Sequence, residues 1–522
     1  MLKISLLNKI FVLELIFFGL IITGLLPRET AIFLAIGLAI YVATASIEDA
    51  TVFFVRSIPF FIAIPIMAEY DNLNTWRILS IILFLKLAHI TGLKYFLRIR
   101  GFSKYSKLLV VLLVFAALSI IPAVDKGEAV KRIIYFVNLS LIGMVVYYLV
   151  ANSRSFAPRI VKNIAIPTII VTVVGFIQVA STYFIDIYQF MRIWGEGIQM
   201  RQFGVLWSQI AVRLGNTWFA YYGDQLSLRV FSLFPDSHSF PQFVLLGLPA
   251  IFAAAFLKIM KNANVATSQV ATLGRMVRTR ANMSVLWIPA VFLIVILSGT
   301  RGIWAASVGV IMIILGVIYW MHRIRAENYY KNIFKYISLY MGVFFLLFAV
   351  AYPIFVSPQF LLSKGDWGLF GERIKSIIDF GETSNNQRIE IWKASLESVK
   401  EHPLLGVGIG NFPVVLKQNI FLARAGSSAH NIYLHIAAEM GILALVTAIW
   451  FLWLVFKKSY EDFISTKDPL LITYFGAAIL FVPWVLIYSL TDVALFDERA
   501  FLLFVTMISI ILGNKNSPEG YK

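Results

Sequence analysis

Residues 164–183 read IAIPTIIVTVVGFIQVASTY, a stretch of 20 residues without a charged side chain. As an α-helix, such a stretch is long enough to cross the roughly 30 Å hydrocarbon core of a bilayer. Comparable apolar runs recur along the whole chain, and fourteen are predicted to be membrane spans. They lie near residues 10–26, 31–47, 53–68, 78–96, 108–124, 133–151, 164–183, 240–257, 284–299, 303–321, 336–356, 432–456, 470–490 and 500–513.

The composition of the chain supports a membrane location. Of its 522 residues, 59% are hydrophobic and 14% are charged. A soluble globular chain is about half apolar and one quarter charged, so lipid must cover part of this surface. The predicted fold class is therefore all-α, a polytopic integral membrane protein with about 14 transmembrane helices. The run at 53–68 is short and carries Arg56, so whether it spans fully is left open.

The residues that give the net charge of +17 are distributed as the predicted topology requires. With the N-terminus in the cytoplasm, nearly all of the excess lysine and arginine falls in cytoplasmic segments, whereas the outer segments are balanced. This distribution is the positive-inside pattern of membrane proteins, and it predicts that both termini are cytoplasmic. It also accounts for the basic composition without a nucleic-acid partner. The absence of cysteine excludes disulfides and thiolate metal sites.

The spans divide one membrane domain into five segments. We expect an N-terminal transmembrane bundle at 1–183, transmembrane helices at 240–356 and C-terminal transmembrane helices at 432–522. Two long extracytoplasmic loops with short helices, 184–239 and 357–431, separate them. Loops of this length exceed what a connection between helices needs, so they are expected to carry function.

The first long outer loop combines aromatic and arginine side chains. Aromatic faces stack on the apolar faces of sugar rings, and guanidinium groups clamp phosphates with paired hydrogen bonds. The same composition is typical of an interfacial belt that holds a surface helix, and this alternative stays open. The residues are Tyr188, Phe190, Trp194, Phe203, Trp207, Trp218, Phe219, Tyr221 and Tyr222, with Arg192, Arg201, Arg213 and Arg229.

The end of this loop reads RVFSLFPDSHSFP (229–241) and enters the span at 240–257. Arg229 is placed to face an anionic substrate, with Asp236 and His238 as supporting residues. The alternative is that Asp236 or Ser237 only caps the following helix.

Two further arginines occupy outer positions. Arg301 lies in the tight turn LSGTRG (297–302), where it is either a cation beside a diphosphate or an anchor among lipid headgroups. Arg388 lies on a predicted amphipathic helix at 384–401. The following LLGVGIGNF (404–412) lacks the strand–helix context of a nucleotide-binding loop, so we reject that interpretation.

The segment AHNIYLH (429–435) opens the twelfth predicted span. Histidine is the side chain best suited to accept a proton near neutral pH, which makes His430 a candidate general base with Asn431 beside it. A purely structural role is the alternative for a single histidine. His435 is expected to pair with Glu439 four residues later, because a carboxylate inside a membrane needs a partner. No metal is predicted.

Three segments together resemble the bacterial O-antigen ligase / O-antigen polymerase superfamily. They are Ser298-Gly-Thr-Arg301-Gly, the run from Arg388 and Trp392 to HPLLGVGIGNF (402–412), and His430-Asn431, nine further residues and then Gly441. The ligases show Gly, Thr or Tyr where this chain has Ala444, which favours the polymerase side. The resemblance covers about 290–455.

The resemblance implies a metal-independent, inverting glycosyltransferase with a C-type glycosyltransferase fold in the bacterial cytoplasmic membrane. Its donor would be a glycan on undecaprenyl diphosphate, its acceptor a glycan or lipid-linked hydroxyl, and it would need no cofactor. His430 would be catalytic, and Arg229, Arg301 and Arg388 would hold the diphosphate. Membrane lipid and other polysaccharide-assembly membrane proteins are the implied partners.

A transporter or flippase of lipid-linked oligosaccharide is the alternative function. It predicts charged residues along a central path, for which Glu14, Arg56, Lys86 and Glu439 are the candidates. These four residues are far apart in the sequence.

Overall fold

The computed structural model describes residues 5–66, 73–92, 103–205, 217–222, 225–263, 283–362, 383–418 and 428–514. In these ranges the chain is mostly helical. The longer helices are α1 (Leu6–Ile22), α2 (Thr30–Thr44), α3 (Ile47–Ser57), α4 (Thr75–Thr91), α5 (Lys104–Leu118), α6 (Lys126–Asn152), α7 (Phe156–Ser181), α8 (Ser239–Ala263), α9 (Met283–Leu297), α10 (Arg301–Arg323), α11 (Asn328–Leu346), α12 (Phe348–Phe355), α13 (Thr383–Glu401), α14 (Ile432–Met440), α15 (Ile442–Ser465), α16 (Pro469–Tyr488) and α17 (Glu498–Gly513).

Shorter elements lie in the two predicted outer loops and beside the spans. Strands β1 (Phe219–Tyr222) and β2 (Gln225–Leu228) form an antiparallel hairpin in the first loop. The short helical turns are Ile58–Phe60, Ile187–Phe190, Met191–Ile198, Gln199–Phe203, Phe412–Val415 and Ala494–Phe496.

Among the described residues, seven helical segments are long and apolar enough to cross a membrane, judged by length and composition. They are Lys126–Asn152, Phe156–Ser181, Ser239–Leu257, Arg301–Arg323, Asn328–Phe355, Ile442–Ser465 and Pro469–Tyr488. Each of the fourteen predicted spans overlaps a helix, and several of those helices are shorter than the predicted run. The helical membrane architecture agrees with the prediction, and the number of full spans and the five-segment division remain predictions.

Helices α8 and α16 form the centre of the bundle. Their apolar windows are 89% and 83% buried, against 22% for α15. A helix that is apolar on every side is stable inside a core, whereas an exposed apolar face requires lipid around it. Accordingly, Trp450 and Trp453 of α15 point away from the protein, each more than half exposed.

The third predicted span, 53–68, is not one continuous helix. Helix α3 ends at Ser57, and after a turn containing Pro59 the chain continues as an extended segment from Phe61. Proline lacks a backbone N–H and clashes with the preceding helical turn, which explains the break. The predicted span contacts both ends of α1, because Arg56 of α3 donates to Asn8 in the first turn of α1, and Arg28, which follows α1, donates to the carbonyl of Ala63.

Protein groups satisfy the backbone of this extended segment. Gln202 donates to the carbonyl of Pro59, Arg499 to that of Phe61 and Arg28 to that of Ala63. The side chains of residues 58–63 are themselves buried. Non-helical backbone at membrane depth is tolerated where protein surrounds it, and here each of these carbonyls has a donor.

The twelfth predicted span, 432–456, is also interrupted. Gly441 separates α14 from α15 with a φ of 88°, a conformation that glycine adopts without steric cost. A Cβ atom at Gly441 would lie 2.1 Å from the carbonyl oxygen of Leu404, and Ile442 donates its N–H to Pro403. The interruption therefore lets the 404–412 loop pack against the broken helix.

A polar cluster lies at the end of the bundle predicted to face the cytoplasm. Arg56 donates to the side-chain oxygens of Asn8 and Asn163, at 2.7 and 2.6 Å. Arg159 pairs with Glu48, at 3.3 Å, and with Asp49. We call these groups the Arg56–Arg159 cluster.

The other charged residues weighed for a transport path also have protein partners. Glu14 accepts a hydrogen bond from Ser57, and Lys86 donates to the carbonyls of Val42 and Ala43. Each is thus stabilised within its own group of helices.

Candidate functional site

The segment before α8 is held rigidly by buried polar side chains. Gln178 accepts from the N–H groups of Phe231 and Ser232, at 3.0 and 2.9 Å. The Trp218 indole donates to the carbonyl of Pro235 at 3.0 Å. Because buried donors and acceptors need partners, these contacts fix the path of the chain that carries Arg229 and His238.

Asp236 is the cap of helix α8. Its carboxylate accepts from the N–H groups of His238 and Ser239, at 2.9 and 2.7 Å. A short polar side chain at this position satisfies N–H groups that have no partner inside the helix. The capping alternative is therefore the contact that the structure shows for Asp236.

Arg229 lies where three chain segments meet. Its Nη2 is 3.3 Å from Nε2 of His238 and 3.5 Å from Oγ1 of Thr300. Its own N–H donates to the carbonyl of Trp218 at 2.8 Å. The hydroxyl of Thr300 donates to the carbonyl of Ser237 at 2.7 Å, which joins the LSGTRG turn to the same segment.

His238 contacts two groups near the C-terminal end of α16. Its Nδ1 is 2.8 Å from the phenolic oxygen of Tyr488 and 3.1 Å from Oδ2 of Asp492. Asp492 is buried, as is Tyr488. Neither residue was singled out from the sequence.

The carboxylate of Asp492 is kept ionised by its neighbours. Burial by itself would raise the pKa of Asp492, but the hydrogen-bonded His238 and the nearby His430 and Arg388 outweigh burial and hold that pKa well below its usual range. Asp492 is therefore an anion at neutral pH, facing a site that is otherwise rich in cations and imidazoles.

His430 is close enough to Asp492 to influence its charge. Its backbone φ is 45°, unusual for a residue other than glycine, and Asn431 after it caps α14 by accepting from Tyr433 and Leu434. Ile432 donates its N–H to the carbonyl of Ser489 at 2.9 Å. The end of α16 thus holds both His430 and His238 in place.

Burial lowers the pKa of His430. Asp492 opposes this shift, whereas Arg388, His238 and His435 add to it. The net direction favours the neutral imidazole at neutral pH, which is the form that can accept a proton.

Arg388 reaches this region from α13. One turn further along that helix, the indole of Trp392 donates to the carbonyl of Ala429 at 2.9 Å and so holds α13 against the residue before His430. Arg388 is close enough to influence the charges of His430 and Asp492.

Arg301 begins α10 directly after Thr300, and it is half-buried. The next residue, Gly302, packs so tightly that a Cβ there would lie 2.5 Å from Oγ1 of Thr491 and 2.8 Å from the Tyr488 ring. The LSGTRG turn therefore fits against the end of α16, beside Asp492.

His435 and Glu439 face a different neighbour. Nε2 of His435 is 3.5 Å from Oε2 of Glu439, the pairing that the sequence predicts. The His435 ring stacks on Phe412 at 4.9 Å, and Glu439 accepts from the N–H of Phe412. The pair supports the 404–412 loop.

The aromatic residues of the first loop divide into two groups. Phe190, Trp194 and Trp218 are buried in the core, so the sugar-stacking interpretation is wrong for them. Their packing explains this, since Trp218 stacks on Phe231 with 5.0 Å between ring centres. Tyr188 and Tyr221 are exposed. The predicted residues Trp207 and Arg213 lie outside the described residues.

Tyr488 lies at the end of an apolar span and Asp492 follows it, which is the only sequence signal for them. An acidic residue just after a span marks a membrane surface, but the sequence does not show which other helix ends meet it there. In the described part of the chain, no three His, Asp or Glu side chains are arranged to hold a metal ion.

The fold and the site define the class of protein as a polytopic helical membrane protein with arginine, histidine and aspartate gathered at one end of the bundle. Residues 285–449 match the family model of the O-antigen ligases, so the chain carries an O-antigen ligase domain. Members of this family are membrane glycosyltransferases, which implies lipid-linked glycan transfer in surface polysaccharide assembly. The matched segment includes Arg301, Arg388 and His430. A comparison with curated proteins finds no match.

Proposed function

We propose that this protein transfers or polymerises a glycan from an undecaprenyl-diphosphate-linked donor onto an acceptor hydroxyl at the outer leaflet of the bacterial cytoplasmic membrane. The observation that carries the proposal is the convergence of Arg229 and Arg388 with His430 around the buried Asp492. Of the two activities we favour polymerisation, because Ala444 departs from the ligase pattern. The acceptor is then another lipid-linked glycan.

The chemistry requires one proton transfer and one leaving group. The acceptor oxygen attacks the anomeric carbon, and its proton passes to the neutral imidazole of His430. The bond from the anomeric carbon to the phosphate oxygen breaks, and the electron pair leaves with the lipid diphosphate. Attack opposite to the leaving group inverts the configuration at the anomeric carbon.

Arginines supply the electrostatic part of the reaction. A diphosphate leaves readily when its growing negative charge is met by fixed cations, and a guanidinium binds phosphate oxygens with two parallel hydrogen bonds. Arg229, Arg301 and Arg388 are assigned this role. Asp492 stabilises the imidazolium that His430 becomes after it accepts the proton, because an opposite charge nearby favours the charged form.

The proposal is tested with the full chain reconstituted in liposomes and given a defined undecaprenyl-diphosphate-linked repeat unit. The wild type should form longer or transferred glycan and release undecaprenyl diphosphate. The His430→Ala variant should lose at least about 100-fold in rate, since a general base contributes roughly 10² to 10⁴. His322→Ala, at an exposed residue in the last turn of α10, is the matched control and should keep full activity.

Two results would contradict the proposal. Full activity of His430→Ala would remove its assigned role. Movement of labelled lipid-linked glycan across the bilayer without formation of a glycosidic bond would favour the transporter alternative.

A further inference from the structure

The ring of His238 stands between a cation and an anion. Nε2 is 3.3 Å from Nη2 of Arg229, and Nδ1 is 3.1 Å from Oδ2 of Asp492. The phenolic oxygen of Tyr488 lies 2.8 Å from the same Nδ1. The imidazole is half-buried, and the two groups that contact its Nδ1 are buried.

These contacts decide which nitrogen carries the proton. A guanidinium can only donate hydrogen bonds, so Nε2 must be the acceptor toward Arg229 and carries no proton. The proton is therefore on Nδ1, where it faces the carboxylate of Asp492 and the oxygen of Tyr488. A neutral imidazole with this tautomer satisfies both neighbours at once, and an ionised Asp492 is the partner that fixes it.

A neutral acceptor affects an arginine differently from a carboxylate. It orients the guanidinium through one N–H without cancelling its positive charge. The same Nη2 also faces the hydroxyl of Thr300, which is a second uncharged acceptor. These two contacts orient the Nη2 side of the guanidinium, and neither of them places a negative charge against it.

We propose that His238 is a positioning residue, whose neutral imidazole, held by Asp492 and Tyr488, aims the guanidinium of Arg229 at the diphosphate of the lipid-linked donor. This inference rests on the proposed function. It assigns to His238 no contact with the reacting atoms. It does require an acceptor at the position of Nε2.

Two amide substitutions test the two ring nitrogens of His238 separately. In His238→Gln, the longer side chain can place its carbonyl oxygen near the former Nε2 and still accept from Arg229. In His238→Asn, the shorter side chain can place its NH₂ group near the former Nδ1 and donate to Asp492, but no acceptor reaches Arg229. The two variants have similar polarity. A difference in their binding of the lipid diphosphate therefore shows the effect of the acceptor beside Arg229.

The measurement is the dissociation constant for undecaprenyl diphosphate without a glycan, together with KM for the donor and kcat, using the full chain in lipid nanodiscs. His238→Asn should bind the lipid diphosphate roughly 10-fold more weakly and show a higher KM, since a hydrogen bond that involves a charged group has about this effect. His238→Gln should stay close to the wild type in both.

Several outcomes would overturn the inference. If both variants bind like the wild type, His238 does not position Arg229. If both lose binding equally while their thermal stability is unchanged, the site needs the imidazole for a reason other than its Nε2 acceptor. The proposed function fails separately, when the wild type itself neither binds undecaprenyl diphosphate nor forms a glycosidic bond.

Discussion

The two ends of the helical bundle use arginine in different ways. In the Arg56–Arg159 cluster, Arg159 pairs with two carboxylates and Arg56 donates to two amide oxygens. At the opposite end, Arg229 donates to an imidazole nitrogen and a hydroxyl oxygen, and the carboxylate of Asp492 meets His238.

The informative contrast is between Arg159 and Arg229, since Arg56 with its two amide oxygens resembles Arg229 in this respect. A guanidinium paired with carboxylates mainly links the elements that carry it, and a partly exposed pair of this kind contributes little. His238 and Thr300 contact Arg229 through uncharged acceptors, which orient the guanidinium without placing a negative charge against it. The comparison predicts that substitutions at the two ends affect transfer and stability in different proportions.

The largest difference in transfer rate between the two ends is expected when Asp492 and Asp49 are substituted. Asp492→Asn removes the anion that fixes His238 and stabilises the protonated His430, so the rate of glycan transfer should fall roughly 10² to 10⁴-fold, the range of general-base catalysis. Asp49→Asn, in the Arg56–Arg159 cluster, should change the rate less than about 2-fold, because a partly exposed pair contributes little. Both effects are measured as the rate of glycan transfer from a defined lipid-linked donor. Equal losses in the two variants would show that the ends do not differ as described.

A stability effect is expected at the interruption between α14 and α15. Gly441→Ala places a Cβ against the carbonyl of Leu404 and forces a positive φ on alanine, which should cost about 1–3 kcal/mol or more. Gly316→Ala in α10 is the control, since nothing lies near its Cβ position and alanine favours a helix. Thermal unfolding in detergent should show a lower midpoint for the first variant only. An unchanged midpoint for Gly441→Ala would mean that the loop and the helix are not packed as tightly as described.

The smallest effect concerns the pH dependence of transfer. His430 is a base only when neutral, and burial keeps its pKa below the usual histidine value, so the rate should fall only in acid below that value. Arg388 also lowers this pKa. Arg388→Gln should therefore move the acidic limb of the kcat profile to higher pH, because the imidazolium is then less disfavoured. Arg159→Gln should leave the acidic limb at the same pH. A shift of the limb in Arg159→Gln but not in Arg388→Gln would contradict the assignment of Arg388 as a neighbour of His430.

Much of the fold was predictable because the membrane imposes long apolar runs. The two exceptions lie at 53–68 and 432–456. In the first, Pro59 ends the helix and side chains from distant segments, such as Gln202, hold the chain that follows. In the second, Gly441 admits the close approach of the distant Leu404. A hydropathy pattern carries no information about such a contact, so it predicts a continuous helix.

The site was predictable in part for the same reason. Arg229, His238 and His430 can be picked out from the sequence, because they are polar side chains close to the ends of predicted spans. Asp492 and Tyr488 become functional candidates only when the end of α16 is brought against α8 and α14. The roles assigned to all these residues remain predictions.

The buried guanidinium of Arg499 has a consequence for biogenesis. It belongs to α17 and donates to the carbonyl of Phe61, on the third predicted span, and to that of Leu233, in the segment with Arg229. A carbonyl left without a donor in hydrocarbon costs several kcal/mol, and the donor for Phe61 lies 438 residues further along the chain. The extended segment at Phe61 therefore reaches its final hydrogen bonding only after α17 has been synthesised.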